Sequence, residues 1–308
     1  MESLTQHDVV CYGEVLWDIL PNQSLPGGAP MNVAYHLKKL GHNPTLITKI
    51  GIDDYGKKLV NLLEKAGIST DFFSIDYKHS TGLVYAKPNE YNEVTYEIIN
   101  PVAWDYIEWE DEFTDLIAKS DFFVYGSLAS RNKLSRETLY QLLDLANTKV
   151  LAINLQAPHF NRSHVEYLLQ KADILRMNMD ELELITGWFS HFKNTIDRIQ
   201  LIQDQFKIDT VIVTMGKNGA MVNNNGAVYT QEAYNVKVTD TMGTGDAFLA
   251  GFIHNLSKGN GIEQALRFAS AMGAYMATCS GACPQYHVSN VEDLMFSVAS
   301  KQTFISNS

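Results

Sequence analysis

The chemistry of this chain concentrates in one stretch, Val238-Thr239-Asp240-Thr241-Met242-Gly243-Thr244-Gly245-Asp246-Ala247-Phe248-Leu249-Ala250-Gly251-Phe252. Gly243 and Gly245 bracket a turn that leads straight into an apolar run with helical period over residues 246–256. The first N–H groups of a helix lack intrahelical acceptors, and the helix dipole is positive there. Glycines let an anion approach that backbone closely. Asp246 falls in the first turn, where Asp is also an ordinary cap residue. An anion hole joined to a carboxylate is what phosphoryl transfer to a hydroxyl needs. The backbone of Gly243, Thr244 and Gly245 would neutralise charge moving onto the leaving phosphate, and Asp246 would accept the hydroxyl proton.

Other motifs carry less. Gly51-Ile52-Asp53-Asp54-Tyr55-Gly56-Lys57-Lys58 nearly spells a phosphate-binding P-loop, but Lys58 stands where Ser or Thr would hold magnesium, and two carboxylates lie inside the loop. It reads as a turn before a helix. Gly243-Thr244-Gly245 opens a G-x-G-x-x-G pattern, but Phe248 replaces its last glycine, which disfavours a dinucleotide-binding oxidoreductase. Asn178 and Glu181, three apart at a predicted helix start, have the spacing of a capping box. His36, His42 and His287 show no metal-ligand spacing and read as structural or solvent-facing.

The elements that must position these residues alternate between β-rich and helical runs. Strands are predicted at 9–13, 45–50, 122–125, 149–154, 173–176 and 210–214, and helices at 31–40, 56–66, 134–146, 163–171, 180–185, 195–206, 246–256 and 262–278. This alternation predicts an α/β fold: a doubly wound, mainly parallel sheet flanked by helices, in a single domain over residues 1–308. One stretch breaks the rhythm. From Gly82 to Ile99 two β-rich runs flank Lys87-Pro88-Asn89-Glu90, a turn signal, with no helix between them. The expectation is an inserted hairpin that closes over a site or pairs with another subunit.

Composition bounds the function classes. The chain has 308 residues, 45% hydrophobic and 19% charged, enough apolar material for a large core. Lys plus Arg is 24 against 35 for Asp plus Glu, a net charge of −11 that disfavours nucleic acid as a partner. No apolar run is long enough to span a membrane, and the N-terminal residues lack a basic segment followed by an apolar one. Cysteines number only 3, with no C-x-x-C pair, so neither a disulfide framework nor a structural zinc site is supported. The three N-x-S/T matches, at Asn22, Asn161 and Asn255, are read as chance in a chain expected to be cytoplasmic.

The stretch Asp240-Thr241-Met242-Gly243-Thr244-Gly245-Asp246 resembles the C-terminal signature of the ribokinase-like (PfkB-type) carbohydrate kinases, D-T-x-G-A-G-D, with Thr244 where Ala is commoner. Gly27-Gly28-Ala29-Pro30-Met31-Asn32-Val33-Ala34, then Leu40-Gly41 and Gly51 to Gly56, are similar to the N-terminal signature. Asn178-Met179-Asp180-Glu181 is similar to the family's N-x-x-E, and Val213 to Ala220 to its nucleotide-side strand and turn. The resemblance runs from about Gly13 to Ala282, and the stretches at Gly13–Asp18, Gly28–Asn32, Ala103–Asp105 and Gly126–Arg131 resemble fructokinases.

The resemblance implies an ATP-dependent sugar kinase, with fructose giving fructose 6-phosphate. It implies that Asp18, Gly28 and Asn32 bind the sugar beside Asp246. Arg131 either reaches the sugar or a phosphate, or is a solvated arginine beside Asn132 and Lys133. Thr214, Gly216 and Gly219 would line the nucleotide side with Gly243 and Gly245, Asn178 would help hold phosphate or metal waters, and Glu181 would order the water shell of Mg2+. Carbonyls of Asp240, Met242 and Gly281 could hold a monovalent cation, K+, beneath the anion hole. A lid is expected from approximately residues 13–26 and 80–105, with a homodimer formed through it as one outcome.

Two positions depart from the family pattern. Gln156 stands where Asp-x-Asn-x-Arg-x-Pro would place Arg, which removes a cation that could contact ATP phosphate, and Ser270 replaces an Asn common near the adenine. The alternatives are a kinase for 2-keto-3-deoxygluconate, ribose or a nucleoside, and a catalytically silent sugar sensor. Retention of Asp246 disfavours the sensor.

Overall fold

The computed structural model describes residues 9–88, 94–190 and 194–305. Its first strand, β1 (Val9–Tyr12), shows how the core is organised. All four residues are buried; Val9 and Cys11 enter one apolar cluster, Val10 and Tyr12 the other. Side chains alternate across a strand, so a run that is apolar throughout needs helices on both faces.

The chain continues through β2 (Leu16–Leu20), β3 (Gln23–Gly27), α1 (Ala29–Lys39), β4 (Thr45–Gly51), α2 (Asp54–Lys65), β5 (Phe73–Asp76), β6 (Gly82–Pro88) and β7 (Val94–Ile98). Then follow α3 (Glu112–Lys119), β8 (Phe122–Gly126), α4 (Lys133–Leu145), β9 (Thr148–Ala152), α5 (Arg162–Lys171), β10 (Ile174–Asn178), α6 (Met179–Gly187), α7 (Thr195–Phe206) and β11 (Thr210–Thr214). The last elements are β12 (Ala220–Asn224), β13 (Ala227–Gln231), α8 (Thr244–Ser257), α9 (Ile262–Met276) and α10 (Val288–Ile305).

Nine strands form the large sheet in the order β13-β12-β11-β10-β9-β8-β1-β4-β5. It is parallel from β11 to β5, and the β11-β12-β13 end is antiparallel. α1, α2, α8 and α9 contribute to one core cluster, α3 to α7 to the other. The strand order reverses around β1, whose neighbours are β4 and β8. A crevice opens at the carboxyl ends of strands beside such a reversal, which is where open α/β sheets bind ligands. The predicted fold class is therefore the observed one.

The second sheet has four strands in the order β3-β2-β6-β7. The hairpin expected at 82–99 is β6 and β7, but it does not stand alone: β6 pairs in parallel with β2, and β2 pairs with β3. Lys87 and Pro88, expected in the turn, belong to β6, whose ladder runs on to Pro88 opposite Val94; the connection, residues 89–93, lies outside the described residues. β5, β12, β13, α3 and α10 were not predicted. Among the described residues no helix is long and apolar enough to cross a membrane.

Candidate active site

α8 starts where the sequence places it. Gly243 is its N-cap in the left-handed conformation (φ +68°), and Thr244 to Asp246 form the first turn. Thr244, the departure from the family pattern, folds its hydroxyl back onto the Thr241 carbonyl at 3.0 Å, and its N–H makes a long 3.3 Å contact with the same oxygen. The Asp246 amide is held by the Gly243 carbonyl at 3.1 Å. This leaves the amides of Gly243 and Gly245 at a terminus whose own helix offers them no acceptor.

Asp246 lies half-buried at this turn, and Asn32 Nδ2 donates to its Oδ2 at 2.8 Å. Burial pushes its carboxyl up to about 6; Asn32 and the Arg176 charge pull it down, and Glu181 pushes it up. At neutral pH it is ionised yet more basic than an ordinary aspartate, which suits a general base. Asn32 is buried in the first turn of α1, and its Oδ1 accepts from the Cys283 thiol at 3.4 Å. α1 and α8 pack side by side, which brings residues of the two distant signatures into contact.

Asp18 lies on β2 of the small sheet. Burial, then the charge of Asp240, pushes it up to about 6. A Cβ on Gly27 would overlap the Asp18 carboxylate, and one on Gly28 (φ +116°) would overlap the Glu14 carbonyl. Gly28 is thus required by close approach of the Glu14 backbone, and Gly27 leaves room for the Asp18 carboxylate. Leu25 on β3 packs against Gly281, so the small sheet reaches the loop beside the anion hole. The Asp240 carboxylate ties that loop together, accepting from Met242 N at 3.0 Å and Gly281 N at 2.9 Å.

A cavity of about 530 Å³ opens on the other side of the glycine turn. Thr214, Gly216 and Gly219 line it together with Thr244 and Gly245, and Val236, Phe248 and Ala274 supply an apolar wall. Ser270 lines it too, with a buried hydroxyl that lacks a partner among the described residues.

Arg176 was missed by sequence reasoning. From β10 its Nη2 donates to Thr214 Oγ1 at 2.9 Å, and its buried Nε has no partner among the described residues. A Cβ on Gly245 would overlap its guanidinium, so Gly245 makes room for a cation directly at the anion hole. The available signal was a lone arginine at the carboxyl end of an otherwise apolar strand, Ile174-Leu175-Arg176-Met177.

Arg131 is not the solvated arginine that was one of its two readings. Its Nε and Nη2 clasp Asp105 at 2.6 and 2.7 Å, Nη2 also donates to the Ile99 carbonyl, and the guanidinium stacks 3.9 Å over Trp104. Only Nη1, 3.4 Å from His159, is left out of that clasp.

Asn178 and Glu181 form the capping box of α6, with reciprocal bonds of 2.8 Å. The other Glu181 oxygen accepts from Leu155 N at 2.9 Å. A carboxylate held this way suits the water shell of a cation better than direct ligation. Among the described residues no group of three or more His, Cys, Asp or Glu side chains could hold a metal ion. The P-loop-like stretch is a capped helix start: Asp53 accepts from Gly56 N at 2.9 Å and Thr81 N at 2.7 Å. His36 is buried and bonded to Tyr286 and Ala282, and His42 to His254, as structural histidines; His287 is exposed.

The chain resembles "Probable fructokinase-5" of Arabidopsis thaliana, 28% identical over 305 residues, covering 90% of this chain and 93% of that protein. It also resembles the "ATP-dependent 6-phosphofructokinase" of Thermoanaerobacterium thermosaccharolyticum, 27% identical over 298 residues and covering 90% of each. The solved fructokinase with bound ATP from Xylella fastidiosa superposes with a TM-score of 0.86 over 96% of this chain and 99% of that one, at 20% identity, a likeness of fold. The family model described as "pfkB family carbohydrate kinase" matches residues 6–287. That match takes in both sheets, the glycine turn and the Gly281 loop, and the chain belongs to the pfkB family of carbohydrate kinases.

Proposed function

We propose that the chain is a cytoplasmic, ATP-dependent fructokinase that phosphorylates the 6-hydroxyl of D-fructose. The observation that carries this reading is Asp246, a raised carboxylate fixed by Asn32 at the mouth of a glycine-bounded helix start, with a cavity on the other side of the glycine turn. Asp246 takes the proton of the sugar hydroxyl as its oxygen attacks the γ-phosphorus and the bond to the β-phosphate oxygen breaks. The Gly243 and Gly245 amides and Arg176 receive the charge that moves onto the departing ADP. Asp18 and the backbone at Gly28 hold sugar hydroxyls, to which carboxylate and carbonyl oxygens are good acceptors. Thr214, Gly216 and Gly219 hold the nucleotide, with the base against the apolar wall.

Mg2+ fits as an ion carried by ATP phosphates and water, with Asn178 and Glu181 behind the water shell; it would neutralise phosphate charge. K+ suits the oxygen-only donor set of the Asp240, Met242 and Gly281 carbonyls, in segments that the Asp240 carboxylate ties together. The small sheet is read as a lid over the sugar, supported by the packing of Leu25 on the Gly281 loop. Pairing of two copies through this sheet is supported by Tyr96, 57% exposed on the edge strand β7. Free cysteines at 11, 279 and 283 agree with a reducing compartment.

The named 6-phosphofructokinase relative gives a second reading, with fructose 6-phosphate as acceptor. The acceptor side disfavours it: Asp18 and Asp246 would repel a sugar phosphate, and Arg131 is clasped by Asp105. ADP release with ATP and Mg2+ over fructose, fructose 6-phosphate, ribose, 2-keto-3-deoxygluconate, glucose and adenosine tests the choice. Fructose should give the highest kcat/KM. A tenfold advantage for another acceptor overturns the fructose assignment and leaves the kinase assignment standing.

A further inference from the structure

The loop between α9 and α10 carries a thiol that the reaction above does not use. Cys283 is a free cysteine, partly buried against the core. Its Sγ donates to Asn32 Oδ1 at 3.4 Å, and Asn32 Nδ2 donates to Asp246 Oδ2 at 2.8 Å. The amide of Asn32 is thus engaged at both ends, by a donor at its oxygen and by the base at its nitrogen. Backbone contacts on either side of Cys283 hold it to the helix that carries Asn32. The Pro284 carbonyl accepts from the Tyr35 hydroxyl at 2.8 Å, and the Ala282 carbonyl lies 3.0 Å from His36 Nε2. A carbonyl only accepts, so Nε2 is the donor there. Asn32, Tyr35 and His36 all belong to α1, so the thiol keeps its place relative to the amide it holds.

An amide side chain has two orientations, related by a half turn, that exchange its oxygen and its nitrogen. While Asp246 is ionised it accepts only, and just one orientation offers it a donor. Once it has taken the sugar proton it becomes a donor itself, and a loosely held amide could turn its oxygen to accept that proton. Such a turn would favour the protonated acid over the base. It would also exchange the S–H···O contact for an N–H aimed at sulfur, a weak acceptor. We propose that Cys283 is a positioning residue for Asp246: its thiol keeps the Asn32 amide turned with Nδ2 towards the carboxylate in both protonation states of the base. The proposal rests on the base role of Asp246 given above. The charges of Arg176 on β10 and Glu181 on α6 also act on Asp246, and the Asp246 charge in turn pushes up the Glu14 carboxyl. A neutral replacement for the thiol leaves all of these charges in place.

The acid limb of kcat, set by Asp246 at about 6, is the readout. Cys283→Val fills the site without a donor, and Cys283→Ala removes the donor with less volume. Both should move the limb upward by roughly half a pH unit to one unit, the weight of one hydrogen bond on the pKa scale, while KM for ATP stays near the parent value. Cys283→Ser restores an O–H donor, so its limb should lie closer to the parent than either. In an Asn32→Ala background, Cys283→Val should leave the limb where Asn32→Ala has put it, because residues acting through one contact are not additive. A Ser limb displaced as far as the Val limb would overturn the proposal, as would a Val limb at the parent position. So would a limb that moves equally with and without Asn32. The Ser and Val arms decide the matter even where the Ala variant does not fold. Asp246→Asn run in parallel keeps the two ideas apart. A loss of about a hundredfold there, with equal Ser and Val limbs, defeats the positioning role alone; a kcat within about threefold defeats the base role beneath it.

Discussion

The two sides of the glycine turn are built from opposite chemistry. The side proposed for the nucleotide draws on residues from Arg176 to Ala277: an apolar wall at Val236, Phe248 and Ala274, with one guanidinium. The side proposed for the sugar draws on residues 18 to 32 together with Asp246, and it holds two carboxyls, Asp18 and Asp246, each pushed up to about 6. One side suits a flat base and a polyanion, the other a neutral polyol with many hydroxyls. The contrast teaches that the proposed crevice is polarised, with a cation on one side and carboxyls on the other, an arrangement that would favour a triphosphate at the first.

Asp246→Asn, at the boundary of the two sides, should have the largest effect. It keeps size and the Asn32 contact but cannot accept a proton, so kcat should fall at least about a hundredfold, or roughly 3 kcal/mol, with sugar and ATP still binding. A kcat within about threefold of the parent would remove the base from the boundary. The parent enzyme has a matching pH signature. Only the ionised carboxylate can take the proton, so kcat should fall as pH drops through about 6, measured from pH 5 to 8. A limb near an ordinary aspartate value would mean that burial does not act on Asp246.

Arg176→Met comes next and touches one side only. A charged hydrogen bond is worth about 1.5–3 kcal/mol, so KM for ATP should rise on the order of tenfold to a hundredfold while KM for fructose stays put. An equal rise for the sugar would break the polarity argument.

Glu181→Gln should be mildest. Both Glu181 oxygens already accept backbone amides, and the amide side chain keeps one of those bonds. The Mg2+ needed for half-maximal rate should rise a few-fold with sugar binding unchanged; an unaltered Mg2+ titration would reduce the pair to a helix cap.

The large sheet was legible because its interior strands are apolar on both faces, as in Thr210-Val211-Ile212-Val213. β12 and β13 escaped because Asn223, Asn224 and Asn225 break the apolar run and β13 is largely exposed, although Asn225-Gly226 between them is a hairpin signal. In the site, Asp246 and the flanking glycines were legible because a helix start is a local event. Arg176 was not, since it is defined by a partner far along the chain, Gly245. Arg131 shows the same limit, because nothing local to Ser130-Arg131-Asn132 reveals that Asp105 will clasp it.

The Asn32–Asp246 hydrogen bond joins residues 214 positions apart. Closing so long a loop costs entropy before any contact rewards it, and topologies built on distant contacts form slowly. The Asn32–Asp246 contact, and with it the proposed orientation of the base, therefore exists only once α8 has docked on α1. During refolding from denaturant, catalytic activity should reappear later than helical circular dichroism. On a ribosome, a nascent chain that has not yet released α8 can display most of the sheet and none of the activity. The turnover rate of this protein is thus also a gauge of how completely its two ends have met.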